Sequence, residues 1–188
     1  MSRHWLSQLL LTPLKSAYHQ QNTNRIAAAT LLPVYLENGQ WYIIITRRSA
    51  QLKHHARQFS FPGGCFEHTD HNLGYTALRE SYEEIGLSPH KVQLVSRLPD
   101  QLAGEHFIMS PFIGLITEPF QLTANPTEVD EIIHLPLAPL LELSHYQPLK
   151  IERHRQRQTL YFIEVNGYVI WGATAAVLHR LATLFTHA

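Results

Sequence analysis

Arg79, Glu80, Glu83 and Glu84 crowd into the run RESYEE, and Pro62-Gly63-Gly64 stands shortly before them. Carboxylates this close repel one another, so the run is either a solvated helix face or a site for a cation. Residues from Leu73 to Ile85 have helical spacing, and Gly86 stands where a helix C-cap is expected. An advance of about 100° per residue puts Glu80, Glu83 and Glu84 in one arc, with Leu78, Tyr82 and Ile85 opposite as the core face. Glu80 and Glu84 are i,i+4 neighbours with no lysine between them on that face, a repulsion of about 0.2–0.5 kcal/mol that something should offset. Mg²⁺ is typically held by one or two carboxylates, waters and phosphate oxygens. An acidic helix face beside a glycine turn, where backbone can approach a ligand, suits that purpose. The corresponding chemistry is the attack of an activated water on a phosphoanhydride, without a covalent intermediate.

These residues must be held by the elements around them. RIAAATLLPVYLE (25–37) and WYIIITRRS read as two strands about an Asn38-Gly39 turn, a central hairpin. FSFPGG reads as a short strand running into the glycine turn. KVQLVSRLP and HFIMSPFIGLI are expected strands, the second bent, bulged or at an edge because of Pro111. NPTEVDEIIHLPLAPLLEL should form a loop, a short strand and a short helix, LKIERHRQ and TLYFIEVNGYVIWG further strands, and ATAAVLHRLATLF a closing apolar helix. The irregular alternation predicts a mixed sheet with helices packed on it. The N-terminal segment fits an amphipathic helix through Leu6, Leu9, Leu10 and Lys15 better than a secretion signal.

At 188 residues one domain, 1–188, is expected. Lys plus Arg and Asp plus Glu each number 15, so no net basic field draws the chain to nucleic acid or an anionic membrane. A single cysteine, Cys65, and the lack of a spanning apolar run fit a cytoplasmic protein.

The stretch from Gly64 through Asp70 to RESYEEIGL resembles the signature of the Nudix hydrolases: a glycine, an acidic residue, then Arg-Glu, two residues, Glu-Glu, one residue, Gly and an aliphatic. Between Gly64 and Arg79 this chain has one residue more than the general signature, and Asp70 stands where glutamate is usual, a spacing similar to the coenzyme A pyrophosphatase branch. Upstream, ITRRSAQLKHHARQFSFPGG is similar to that branch at Thr46, Arg48, Ser49, Leu52, His55 and Phe61 to Gly64, and departs from it at Lys53, Arg57 and Phe59. The resemblance implies an α/β (α+β) fold, a Nudix-like α/β/α sandwich with a mixed sheet. It implies Mg²⁺ or Mn²⁺ as cofactor and coenzyme A or a related nucleotide diphosphate as small-molecule substrate, cut to 4′-phosphopantetheine and adenosine 3′,5′-bisphosphate. Glu80 and Glu84 are then the principal metal ligands, with Glu83 and Gly64 assisting. Arg79 orients the carboxylates, and Glu128, in the loop before a strand, is a candidate additional ligand or base. Arg48, Lys53, His55 and Arg57 are the expected substrate-binding residues. A homodimer is left open.

Glu131 is a weaker candidate than Glu128, and Glu67 and Asp70 lie where they could assist water or metal or be merely exposed. Thirteen histidines show no zinc-ligand spacing, and no Lys-Ser/Thr follows the glycine pair as in a phosphate loop. The rival readings are a Nudix hydrolase of ADP-ribose or another nucleoside diphosphate derivative, and a non-catalytic ligand sensor on the same fold. The complete carboxylate set disfavours the sensor.

Overall fold

The computed structural model describes residues 25–104, 106–153 and 156–186, so the expected N-terminal helix lies outside the described residues. Strand β1 (Ile26–Glu37) and strand β2 (Gln40–Arg48) form the expected hairpin, with Glu37 opposite Gln40 and both turn residues at positive φ (Asn38 50°, Gly39 78°). That is the backbone a two-residue turn needs to match the twist of its strands.

The hairpin opens beyond Val34 and Ile43, and the segment that follows enters the fork. Strand β3 (Phe59–Ser60) pairs with β2 at Thr46 and Arg47, and strand β4 (Gly63–Cys65) pairs with β1 at Ala28 to Thr30. Gly63 and Gly64 are therefore not a turn, as the sequence suggested, but a strand satisfying backbone that the open hairpin would leave unpaired. Their glycines answer to space. A Cβ on Gly63 would lie 2.6 Å from the Thr30 Cα, and Gly63 has φ +157°.

Helix α1 (Leu73–Ile85) has the expected ends. The Asn72 side chain accepts from the Tyr75 amide at 2.9 Å, and Gly86 takes φ 69° with its amide on the Tyr82 carbonyl and that of Leu87 on Ser81. Strands β5 (Val92–Arg97) and β6 (Gln101–Ala103) follow, both antiparallel to strand β7 (Phe107–Ile116), which runs parallel to β1. Pro111 lies in an interior strand rather than at an edge. It falls between Phe112, the last partner of β5, and Met109, the first partner of β6; its carbonyl takes the Leu98 amide at 2.9 Å, so its missing donor faces a break in the ladder. Strand β8 (Val129–Pro136) pairs with the outer edge of β2 and leads into helix α2 (Leu137–Leu140). Strands β9 (Gln147–Arg153), β10 (Gln156–Val165) and β11 (Tyr168–Trp171) form a separate antiparallel sheet, and helix α3 (Gly172–Thr186) ends the described chain.

The mixed eight-stranded sheet is thus covered on both faces, the α/β sandwich expected. Side-chain alternation sorts the core in two: Ala29, Leu31, Tyr35, Ile44 and Phe112 pack with Leu73, Ala77 and Ile85 of α1, while Leu32, Val34, Ile43, Ile45 and Ile113 pack with Leu178, Leu181 and Ala182 of α3. The α1 contact is close because small residues make it. Gly74, Ala77 and Ser81 are buried, and a Cβ on Gly74 would already sit 3.0 Å from Leu94. The face of α1 that packs is consequently rotated from the one the apolar residues suggested: Tyr82 is 58% exposed, and the row from Thr76 to Glu84 faces inward.

Because the obstacle at Gly63 is backbone, Gly63→Ala is expected to destabilise the protein by about 3 kcal/mol. Urea denaturation measures this, and an unchanged midpoint would mean that β4 relaxes away from β1 at no cost.

Candidate active site on helix α1

The inward rotation of α1 decides what its carboxylates meet. Glu84 is 2% exposed, one turn beyond Glu80, and its Oε2 is buried with no hydrogen-bond partner. Glu80 lies against Gly64, where a Cβ would sit 2.5 Å from Glu80 Oε2. So the glycine that the sequence placed near a ligand makes room first for a carboxylate. Glu83 is half exposed at the outer edge of the row.

Arg79 ties the row to the preceding loop. Its Nε and Nη2 donate to the two oxygens of Asp70 at 2.9 and 3.0 Å, its Nη1 to Glu80 Oε1 at 2.9 Å and Glu83 Oε2 at 3.0 Å, and its Nη2 also to the Cys65 carbonyl at 3.1 Å. Asp70, one of the two loop acids thought able to assist water or metal, is buried and fully engaged. It also accepts from Thr76 Oγ1 at 2.8 Å and the Glu67 amide at 3.0 Å. The Arg79 hydrogen bond, helped by those of Glu67 and Thr76, holds the Asp70 carboxyl down at about 2 against the pull of burial. Its role is to anchor Arg79. Sequence reasoning missed this because nothing in the local pattern says that Asp70 is buried.

Burial acts the other way on the carboxylates of the helix row. It pushes Glu84 up to about 8, with the charges of Glu128 and Glu80 adding to the rise and the Arg48 guanidinium and Gly63 amide opposing it. Glu80 is likewise raised by burial, with Glu83 and Glu128 adding and Arg79 opposing.

Glu128 arrives on the loop that precedes β8. The Asn125 amide donates to the Glu84 carbonyl at 2.9 Å and the Ser49 amide to the Glu128 carbonyl at 2.8 Å, so the loop is tied to α1 and to the residue after β2. Asn125 Nδ2 reaches Glu128 Oε1 at 3.3 Å. Glu131 is turned elsewhere, to Arg47 Nη2 at 3.2 Å and the Tyr168 hydroxyl at 3.0 Å.

Arg48, assigned to substrate by sequence, lies 3.9 Å from Glu84 Oε1 through Nη1. The loop beyond it closes at its root, with the Arg48 amide on the Gln58 carbonyl at 2.9 Å and the Arg57 amide on the Arg48 carbonyl at 3.0 Å. Lys53, His55 and Arg57 are exposed on that loop. His55 Nδ1 is 2.8 Å from Gln58 Oε1, and Arg57 adopts φ 61°, the left-handed backbone for which glycine is the usual residue. Cys65 is exposed, and partial burial followed by the Glu80 charge pushes its thiol up.

Among the described residues no three His, Cys, Asp or Glu side chains converge as a ready-made metal cage. The oxygen donors nevertheless fit a hard divalent cation. Glu84 has a free buried oxygen, Glu80 stands one turn away, and such an ion completes its shell with water and phosphate oxygens. A cavity of about 900 Å³ lined by Tyr35, Tyr42, Phe120 and His134 contains none of these residues.

Comparison with known proteins gives the family and the fold. The NUDIX domain pattern matches residues 24–160. A Pectobacterium atrosepticum protein named as an uncharacterized Nudix hydrolase, NudL, is 38% identical over 175 residues, which cover 93% of this chain and 88% of that one. A Photorhabdus laumondii protein of the same name is 36% identical over 175 residues, 93% of this chain and 91% of its own. The binary complex of a C. elegans Ap4A hydrolase matches with a TM-score of 0.56 at 13% identity, over 86% of this chain and 96% of that one. The NUDIX domain of Shewanella oneidensis NrtR with ADP ribose matches with a TM-score of 0.51 at 14% identity, over 75% and 87%. At such identities the two structures show a shared fold.

Asp70→Asn is expected to cost about 3 kcal/mol at neutral pH, because it breaks a buried, doubly hydrogen-bonded ion pair. Asp70 is depressed in the folded protein, so its contribution is present above the unfolded value of 3.8 and is lost as pH falls through about 2. The stability gap between the unaltered protein and the variant should therefore close between pH 4 and pH 2 in denaturant titrations. A gap independent of pH would contradict the anchoring role.

Proposed function

We propose, because the chain belongs to the NUDIX domain family, that it hydrolyses the diphosphate bond of coenzyme A or a close derivative, acting in the cytoplasm as one domain over residues 1–188. One observation carries this reading. The segment that resembles the coenzyme A branch is folded onto the carboxylate row at both ends, Arg48 beside Glu84 and Gly64 beside Glu80.

Glu80 and Glu84 would hold Mg²⁺ or Mn²⁺, with Glu83 and Glu128 assisting. When bound, such an ion supplies phosphate-charge neutralisation and a lowered pKa for water. Arg79 keeps Glu80 and Glu83 aimed, and the buried Asp70 keeps Arg79 from following the substrate instead. Gly64 leaves the Glu80 carboxylate room beside β4. Glu128, whose carbonyl accepts from the Ser49 amide and whose side chain accepts from Asn125 Nδ2, would take a proton from the attacking water. Cys65 makes no bond to substrate. Lys53, His55 and Arg57, on the loop rooted at Arg48, meet the 3′-phosphomonoester, which carries about −1.5 to −2 charge beyond the diphosphate.

Kinetics on coenzyme A, dephospho-coenzyme A, ADP-ribose and diadenosine tetraphosphate, each with Mg²⁺ and Mn²⁺, should give the highest kcat/KM on coenzyme A. A preference for ADP-ribose or the diadenosine compound would overturn the substrate. Glu84→Gln is expected to lower turnover by about 10²-fold or more while circular dichroism shows the fold retained, since the amide keeps the volume and loses the charge. Near-normal rates at saturating Mg²⁺ would remove Glu84 from the ligand set. Lys53→Ala/Arg57→Ala should lose about 10-fold in kcat/KM on coenzyme A, the scale of one charge-assisted hydrogen bond, and little on dephospho-coenzyme A. Equal losses on the two substrates would refute the loop's part in recognition.

A further inference from the structure

Two adjacent arginines end β2, and the ladder treats them differently. Arg47 is opposite Glu131 but Arg48 is opposite Val129, so Asp130 is left over as a bulge, its Oδ2 taking the Ala50 amide at 3.2 Å. Bulges re-aim side chains, and strand alternation sends neighbours to opposite faces. Arg47 accordingly pairs with Glu131 at 3.2 Å, and Arg48 turns to α1. Its backbone is held at both amide and carbonyl, by Gln58 and Arg57, so the aim of the side chain is set by the fold.

What it aims at is unfinished. Arg48 Nη1 stands 3.9 Å from Glu84 Oε1, near enough to balance charge and too far to hydrogen-bond. Arg48 Nε and Glu84 Oε2 are both buried without a hydrogen-bond partner. A guanidinium placed only to stabilise the fold would close on the carboxylate with its two-pronged fork, as Arg79 does on Asp70, because unmade bonds of buried polar groups are costly. The open geometry leaves each group with a position for a third body: an ion for the carboxylate, an anionic oxygen for the guanidinium.

We propose that Arg48 is an exchangeable counter-cation: it balances Glu84 while the site is empty, yields it to an incoming divalent cation, and then binds the diphosphate oxygen that arrives beside that cation. The inference rests on the reading of Glu84 as a metal ligand. It makes Arg48 a substrate-binding residue that opposes metal in the absence of diphosphate and favours the pair together. The loop 49–58 starts at this residue, so recognition of the phosphomonoester and capture of the diphosphate share one anchor.

The test is calorimetric titration with Mn²⁺ alone. Arg48→Gln should bind Mn²⁺ about 10-fold more tightly than the unaltered protein, because a like charge a few ångströms away has been removed. With Mn²⁺ saturating, the same variant should bind methylenediphosphonate about 10-fold more weakly, one charge-assisted bond having been lost. Unchanged or weaker Mn²⁺ binding in the variant overturns the inference. A measurement on the unaltered protein does not depend on the variant's stability: in ¹⁵N-labelled protein the Arg48 Nε–H resonance, identified by its loss in Arg48→Lys, should shift on titration with Mg²⁺. A resonance that stays put at saturation overturns the inference equally. Mn²⁺ binding that is unaffected by Glu84→Gln overturns the assignment of Glu84 and this inference with it. Binding that needs Glu84 but ignores Arg48 overturns this inference alone.

Discussion

The site depends on one buried ion pair, Arg79 on Asp70. A guanidinium presents its donors in a rigid plane, and here one edge of that plane is spent on a carboxylate that solvent does not reach. The other donors are thereby fixed in direction, and they hold Glu80, Glu83 and the Cys65 carbonyl in a single arrangement. One side chain thus connects α1, the loop before it and the end of β4. Three carboxylates can stand together because the cation among them cannot wander.

Close approach is the second constraint. The hairpin of β1 and β2 opens into a fork, β3 and β4 fill it, and α1 lies over the result on a face of small residues. Each glycine in this region marks a place where a side chain would meet something already there: backbone at Gly63, a carboxylate at Gly64, a leucine at Gly74. The tight seat turns the row containing Glu84 inward. Burial then raises that carboxyl and leaves one of its oxygens without a hydrogen-bond partner. A looser helix would have left both Glu84 oxygens in water.

The remaining groups come from separate parts of the chain. A loop tied to the carbonyls of Ile85 and Glu84 delivers Glu128, and a bulge in the ladder of β2 and β8 turns Arg48 towards the same place. These connections run through backbone hydrogen bonds rather than side chains, so their effect survives variation in the residues they join. Membership of the NUDIX family accounts for the frame, and the 36% and 38% identities to the NudL proteins span nearly the whole chain.

The sequence by itself determined everything that local physics controls. The Asn38-Gly39 hairpin follows from a turn that needs two positive φ angles, and the α1 boundaries from an apolar period ended by Gly86. The longer strands, the terminal helix and the acidic run were equally legible, because alternation, helical period and composition are properties of neighbours, whereas the short β4 and β6 were not. The sense in which α1 faces its sheet was not. Tyr82 looked like core and is exposed, because small residues allowed a closer seat than bulk hydrophobicity suggests. The glycine pair looked like a turn and is a strand, because its partner, β1, lies more than thirty residues upstream. Asp70 looked available and is consumed by Arg79, and nothing local showed that Arg48 stands beside Glu84. In each case what was missing was burial and the identity of a distant neighbour. Tertiary packing decides both, because the desolvation that shifts a carboxyl and the contact that aims a guanidinium exist only once remote segments have been brought together.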